Sequence, residues 1–356
     1  MRIGILTFQR AHNYGAILQC FALQEKLIEL GCDVEVIDYC PPSMDFYKYF
    51  KWSRFRPWHP RSSFINLLSI PRRKKRYDAF NDFIESHLKL SSPDTIESLS
   101  EKYDLVIVGS DQVWNPQNSM GQYDEYYWGK FKKGDKPKLI TYAVSMGGAW
   151  KKADWSKIKD FLANFDAISV REKKLCDIVK ENCDREVSWI LDPTLLQTRD
   201  FWKSKVKQIE IAEPYLFFYQ ARNNKKALEY AKNVASQMQL KFVCLSADVM
   251  RYNTDKMISA DPFDFLTLIN NASYVLTSSF HGTVFCYQMK KRFSSLKLED
   301  GEDGRSKSFL SSIGLDNYLV SLAESPNIIE PDWEHVDSIL DQMRLKSLDW
   351  LTANIR

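Results

Sequence analysis

The stretch Tyr274-Val-Leu-Thr-Ser-Ser-Phe-His281-Gly-Thr-Val-Phe-Cys286 sets the reading of the fold. It opens as a short apolar, β-branched run, passes through Ser278, Ser279 and Phe280, and resumes as a helix-compatible segment from Gly282. That order spells strand, tight loop and helix start. In an open α/β sheet such a loop lies at the carboxyl edge of the strands, where ligands bind. The following helix aims free N–H groups and its positive dipole end at the same place, which suits an anion. His281 at this junction could donate to an anion and move a proton; it could equally cap the helix or bond a neighbour.

Working outward, 356 residues exceed the usual size of one core, so two domains are expected. Hydrophobic content of 44% and charged content of 27% are those of a soluble globular protein. No uncharged apolar run reaches about 18 residues, so no transmembrane helix is expected. Residues 1–10 carry too short an apolar core for a signal peptide and read as a first buried strand. Seven cysteines without a C-x-x-C pair fit reduced thiols in the cytoplasm, with no zinc site and no disulfide framework. Net charge is +3, yet residues 51–76 alone hold nine Lys/Arg and no Asp or Glu. The rest of the chain is therefore net acidic, which argues against a nucleic-acid partner and leaves one basic patch.

Residues 3–7, a loop at 10–15, helical spacing over 16–30 and a strand at 33–38 form a β-α-β start, with Gly31 as C-terminal cap. This is the signature of a parallel, doubly wound α/β sheet, here without the G-x-G-x-x-G dinucleotide fingerprint. An insertion at about 40–70 mixes Phe46, Tyr47, Tyr49, Phe50, Trp52, Phe55 and Trp58 with basic residues and prolines. The 40–76 stretch could sit on a membrane interface or grip a lipid-linked acceptor; alternatively it is a basic loop whose aromatics pack on the body of the protein. A charged helix is expected over 72–90. Strands at 103–108, 138–144, 166–170 and 187–191 then end in Gly109-Ser-Asp-Gln-Val-Trp-Asn115, Ser145-Met-Gly-Gly148, Arg171-Glu172 and Asp192-Pro-Thr194.

After residue 194 the pattern restarts, with strands at 215–220, 241–246, 274–278 and 292–296 and helices at 225–238, 262–269 and 282–289. The domains expected are 1–194, 195–332, and a helical tail at 333–356 that packs back on the first domain. His12 reads as exposed loop, and His59, His87 and His335 as residues without chemistry.

The ordered set Asn13-Tyr-Gly15 with Gln19, Gly109-Ser-Asp-Gln-Val-Trp114, Ser169-Val-Arg-Glu172, Leu191-Asp-Pro-Thr194 and Ser278-Ser-Phe-His-Gly282 resembles the polysaccharide pyruvyl transferase family. The resemblance implies two Rossmann-like domains facing across a GT-B-like cleft. It also implies phosphoenolpyruvate as donor co-substrate, a sugar hydroxyl pair as acceptor and a pyruvyl ketal as product. The acceptor is expected to be a sugar or lipid-linked glycan, and no metal or cofactor is expected. An arginine and a histidine handle phosphoenolpyruvate in the family; by motif these are Arg171 and His281, with Gly282 beside them. Planar bidentate donors and helix N-termini are what a phosphate and a carboxylate require. For Arg171 the alternative is a salt bridge with Glu172 or another nearby acid.

Ketal formation moves protons at the enol carbon, the attacking hydroxyl and the leaving phosphate. His281 is read as phosphate contact and general acid. Asp111 and Asp192 are read as acceptors of a hydroxyl proton or as support for developing positive charge. Asp192 before a proline also reads as a turn former, and Asp111 as a helix cap. Gln112 and Trp114 offer hydrogen bonds and an aromatic face to an acceptor sugar, with Asn115 beside them, and Asn13 and Gly15 would face the cleft. Asn13 also reads as a simple N-cap. Arg305 and Lys307 are further phosphate candidates that read first as solvated charges. Two rivals stand: a nucleotide-sugar glycosyltransferase of the same fold, and a non-catalytic glycan-binding member.

Overall fold

The computed structural model describes residues 1–50, 60–92, 98–131, 137–208, 211–246, 255–299 and 303–356. In chain order the first half runs β1 (Arg2–Leu6), α1 (Tyr14–Glu29), β2 (Asp33–Val36), α2 (Pro60–His87), α3 (Leu99–Lys102), β3 (Leu105–Val108), β4 (Lys138–Thr141), α4 (Trp155–Leu162), β5 (Ser169–Val170), α5 (Lys173–Cys183), β6 (Ser188–Trp189) and α6 (Pro193–Leu196). The second half runs α7 (Arg199–Lys203), β7 (Tyr215–Gln220), α8 (Lys225–Gln237), β8 (Lys241–Ser246), α9 (Asp255–Ile258), α10 (Pro262–Asn271), β9 (Tyr274–Thr277), α11 (Phe280–Gln288), β10 (Phe293–Lys297), α12 (Gly304–Ser312), β11 (Leu319–Ser321) and α13 (Trp333–Asn354).

All the strand pairings described are parallel. The first sheet has the order β2-β1-β3-β4, and single bridges carry it on to β5 and β6. The second has the order β11-β10-β9-β7-β8. Each is doubly wound, and each reverses direction beside its first strand, at β1/β3 and at β7/β9. The protein is thus an α/β, GT-B-like fold of two Rossmann-like sheets. The strand sequences show why: Leu105-Val-Ile-Val108 and Tyr215-Leu-Phe-Phe-Tyr-Gln220 are buried throughout, as strands covered on both faces must be.

One core runs under both sheets. Ile3, Ile17 and Leu105 belong to the same cluster of buried side chains as Phe217, Phe265, Val275 and Phe285. Helix α1 is the piece between them, buried from Tyr14 to Leu27 but for a half-buried Glu25. Tyr14 stacks on Phe265 at 5.0 Å and its hydroxyl donates to the Ala260 carbonyl at 3.0 Å. Burial of each such large side chain stabilises the fold by about 1.5–3 kcal/mol.

Helix α13 lies on the first half. Ser347 Oγ accepts from Leu191 N at 3.0 Å, Arg344 Nε donates to the Leu195 carbonyl at 2.8 Å, and Lys138 Nζ donates to the Asn354 carbonyl at 2.7 Å.

Three expectations change. The helix expected over 72–90 begins at Pro60 and runs through Pro71; a proline normally ends a helix, which is why the sequence suggested a start after it. Part of the expected insertion is thus helical, while its residues 51–59, His59 included, lie outside the described residues. His12 is buried, not exposed: it stacks on Phe80 at 5.2 Å and touches Tyr47 and Tyr77, and Arg76 donates to its carbonyl at 3.0 Å. Burial and the neighbouring Arg76 hold the His12 imidazole down at about 3. Finally, α11 starts at Phe280, two residues earlier than expected, with Ser279 as its N-cap.

Candidate active site

Both points of strand reversal carry loops rich in polar residues at the carboxyl ends of the strands, the position at which such sheets bind ligands. From the first sheet come Asp111 after β3, Arg171 and Glu172 after β5, and Asp192 after β6. From the second comes His281, in the first turn of α11. They meet around one carboxylate.

Asp192 is that centre, and it is 1% exposed. It caps α6: Oδ1 accepts from Thr194 N at 3.0 Å and from Thr194 Oγ1 at 2.6 Å. Oδ2 accepts from Arg171 Nη1 at 2.7 Å and from Ser110 Oγ at 3.2 Å. His281 Nε2 stands 3.4 Å from the same oxygen, outside hydrogen-bond alignment. Burial pushes the Asp192 carboxyl up, but His281, Arg171 and Thr194 outweigh it and hold it well below the usual carboxylate range. Both Asp192 oxygens already accept from Thr194, Arg171 and Ser110, an arrangement that suits positioning of Arg171 and His281 better than capture of a hydroxyl proton.

Arg171 is sealed among acids. Its Nε donates to Glu172 Oε1 at 3.2 Å, and its Nη2 is 3.7 Å from Asp111 Oδ1. Its guanidinium lies over the Phe280 ring, 4.4 Å from the centre. Burial pushes Arg171 down, but Glu172, Asp192 and Asp111 push it up by more, so it stays charged. Asp111 has φ of 71°, a left-handed conformation that non-glycine residues adopt rarely and chiefly at turns and sites. It caps no helix. Three buried polar atoms of this cluster have no hydrogen-bond partner: Arg171 Nη2, Glu172 Oε2 and His281 Nε2. Such atoms are costly unless something binds them.

An open cleft adjoins the cluster, lined among others by Arg171, Glu172, Trp189, Asp192, Phe280 and Arg305. His281 is not on its wall, and its Nε2 faces Asp192. Arg305, on α12, is half-buried and not the solvated charge its sequence context suggests. Its guanidinium lies 3.0 and 3.1 Å from the Gln112 side-chain amide, whose oxygen turns toward it. Phe280 and the free edge of Glu172 also belong to the site. The one signal for them was adjacency to Arg171 and His281 in their motifs.

Four sequence-predicted contacts have other duties. Trp114 is 1% exposed, stacked on Trp128 at 4.4 Å and 7°, with Nε1 donating to the Tyr127 carbonyl at 3.0 Å. It is core, not a sugar platform. Asn13 Oδ1 caps α1, accepting from Gly15 N at 3.0 Å and Ala16 N at 3.2 Å. Gly15 packs on His281 instead of facing an acceptor. Gly282 is buried against β9, where an added Cβ would fall 2.2 Å from Thr277 Oγ1. Among the described residues no group of three His, Cys, Asp or Glu side chains is placed to share a metal ion.

The family model for polysaccharide pyruvyl transferases matches residues 13–297, from the cap of α1 to the end of β10. The chain belongs to the polysaccharide pyruvyl transferase family. All five motifs of the family set lie inside that match, and four of them supply the cluster around Asp192. No curated protein is significantly similar to the chain. Solved structures similar to it include a Streptomyces sp. SF2575 glycosyltransferase complexed with thymidine diphosphate, at 14% identity, 98% of this chain and 96% of that chain, with a TM-score of 0.46. A UDP-GlcNAc 2-epimerase from Neisseria meningitidis bound to UDP-GlcNAc is similar at 11% identity, 97% and 100% coverage and a TM-score of 0.45. An O-GlcNAc transferase mutant from Thermobaculum terrenum is similar at 12% identity and a TM-score of 0.45; this family member covers 64% of its length, and 99% of the present chain is matched.

Proposed function

We propose that the protein moves the pyruvyl group of phosphoenolpyruvate onto two hydroxyls of a glycan or glycan precursor, forming a ketal and releasing phosphate. The observation that carries this reading is the meeting of Arg171 and His281 on Asp192 beside the cleft, with Arg171 Nη2 left without a hydrogen-bond partner, in a member of this family. A phosphate-carboxylate substrate in the cleft supplies the acceptor that Arg171 Nη2 lacks, while His281 acts on it through Asp192 and Arg171. Arg305 adds a second cation at the cleft. Asp111, Asp192 and Glu172 surround Arg171 and favour positive charge developing at the enol carbon as phosphate leaves. No metal or cofactor enters this reading.

The acceptor is a sugar or lipid-linked precursor of an exopolysaccharide or capsule, handled in the cytoplasm at the inner face of the membrane. Among the described residues no helix is long and apolar enough to cross a membrane. Peripheral contact is supported by α2, where Phe64, Leu67 and Leu68 are 62%, 54% and 56% exposed and the basic run 72–76 follows. Sedimentation with anionic vesicles tests it; no binding at low salt would remove the membrane from the proposal.

The test of the chemistry is incubation with phosphoenolpyruvate and a panel of lipid-linked and nucleotide-linked sugars, following phosphate release. Turnover with one acceptor is expected. Neither turnover nor binding of phosphoenolpyruvate would sink the reading, and thermal stabilisation by UDP- or GDP-sugars alone would put a glycosyltransferase in its place.

A further inference from the structure

We infer that Glu172, through Oε2, is the group that takes the proton of the attacking acceptor hydroxyl. The inference rests on the ketal-forming reading above and adds the residue that reading lacks, because both oxygens of buried Asp192 are already held by Thr194, Arg171 and Ser110.

The geometry is specific. Glu172 occupies the N-cap position of α5, yet its side chain makes no cap hydrogen bond. It turns instead to the cleft, where Arg171 Nε holds Oε1 at 3.2 Å and fixes the plane of the carboxylate. Oε2 is buried and has no donor. A buried carboxylate oxygen without a donor is expensive, so the occupant of the cleft must bring one. The carboxylate and phosphate of phosphoenolpyruvate are acceptors, and they match Arg171 Nη2 and Arg305, not Glu172. A sugar hydroxyl is a donor. Glu172 therefore faces the acceptor, while the two arginines face the donor substrate. Asp111 lies toward Nη2 of Arg171, apart from the Nε edge that Glu172 holds.

The step balances as follows. The hydroxyl oxygen bonds to C2 of the enol while its O–H bond breaks toward Glu172 Oε2. The C2–C3 electron pair takes a proton at C3, giving the methyl group. The C2–O bond to phosphorus's oxygen then breaks, and its electron pair leaves with phosphate. The second hydroxyl closes the ring on C2 and gives up its proton. Of the two hydroxyl protons released, one is balanced by the proton gained at C3 and the other leaves on phosphate. Glu172 ends ionised, as it began.

The experiment compares the full-length protein with Glu172→Gln and Glu172→Asp, using phosphoenolpyruvate and an acceptor from the panel that the unaltered protein turns over. Glu172→Gln is expected to fold, to bind phosphoenolpyruvate as before in calorimetry, and to lose about 10²-fold or more in kcat. The acidic limb of the kcat–pH profile should vanish with it, which a merely structural role would not cause. Glu172→Asp should keep that limb at reduced kcat, and it carries the test alone if the Gln variant does not fold. Unchanged kcat in either variant, or an acidic limb that survives Glu172→Gln, overturns the inference while leaving the proposed function standing. Failure of the unaltered protein to bind or consume phosphoenolpyruvate overturns both.

Discussion

Gly15 lies against the imidazole of His281, so closely that a Cβ on residue 15 would fall 2.2 Å from Nδ1 and 2.5 Å from the histidine's own Cβ. The contact joins the first turn of α1 to the first turn of α11, one from each half of the chain. Because the histidine Cβ is involved, the ring cannot simply swing aside.

Gly15→Ala should therefore displace His281 or push the helices apart. Overpacking of this sort costs about 1–3 kcal/mol. A displacement near 1 Å costs on the order of 10²-fold in rate. Phosphate release from phosphoenolpyruvate, alongside urea unfolding, checks both; full activity in the variant would show the two residues are not in contact.

Asp192→Asn should remove about 3 kcal/mol, since Arg171 would keep Glu172 and Asp111 but lose its shortest ion pair. The sign of the pH dependence is fixed. The folded pKa lies below the unfolded one, so the stabilisation is present above about pH 4 and is lost as pH falls further. Urea midpoints should thus differ between variant and parent at pH 7, and the difference should begin to narrow below about pH 4 and keep narrowing as pH falls. A constant difference across that range would count against an ionised Asp192.

His12 works in the same direction but from a higher pH. Its folded value of about 3 lies below the unfolded value near 6.5, so the unfolded chain takes the proton first. Stability is unaffected above pH 6.5 and falls as pH drops from there toward 3, by about 2 kcal/mol at pH 5. His12→Phe keeps an aromatic ring against Phe80 and should flatten that slope. Unfolding at pH 7.5 and pH 5 in both proteins decides it.

Trp114→Ala should cost about 3–5 kcal/mol through loss of the stack on Trp128. Trp114→Phe should leave KM for the acceptor unchanged. A raised KM in a stably folded Phe variant would return the indole to the binding surface.

The parallel strands were legible because their fully buried apolar runs, such as residues 105–108 and 215–220, have no other common use. Arg171, Asp192 and His281 were legible because charged residues recur at strand ends, where turns alone favour glycine and asparagine. The roles were harder to read. Trp114 and Gly15 sit in the right motifs, but burial decides between a surface and a packing contact, and burial is a property of the other half of the chain. The same holds for Asp192, whose acidity comes from residues up to 89 positions away in sequence. Pro71 hid the true length of α2, and β11, only three residues long, carried too little pattern to be seen.

The placement of α1 has a consequence for synthesis. Its residues 14–27 need partners at 260–288 that emerge from the ribosome far later. At about 5–20 residues per second, the helix waits on the order of tens of seconds with an apolar flank uncovered. The growing chain is then exposed to holdase chaperones and to sticking, and His281 reaches the cluster only after most of the chain has been made. Completing the fold and completing the site are, for this chain, nearly the same moment of translation.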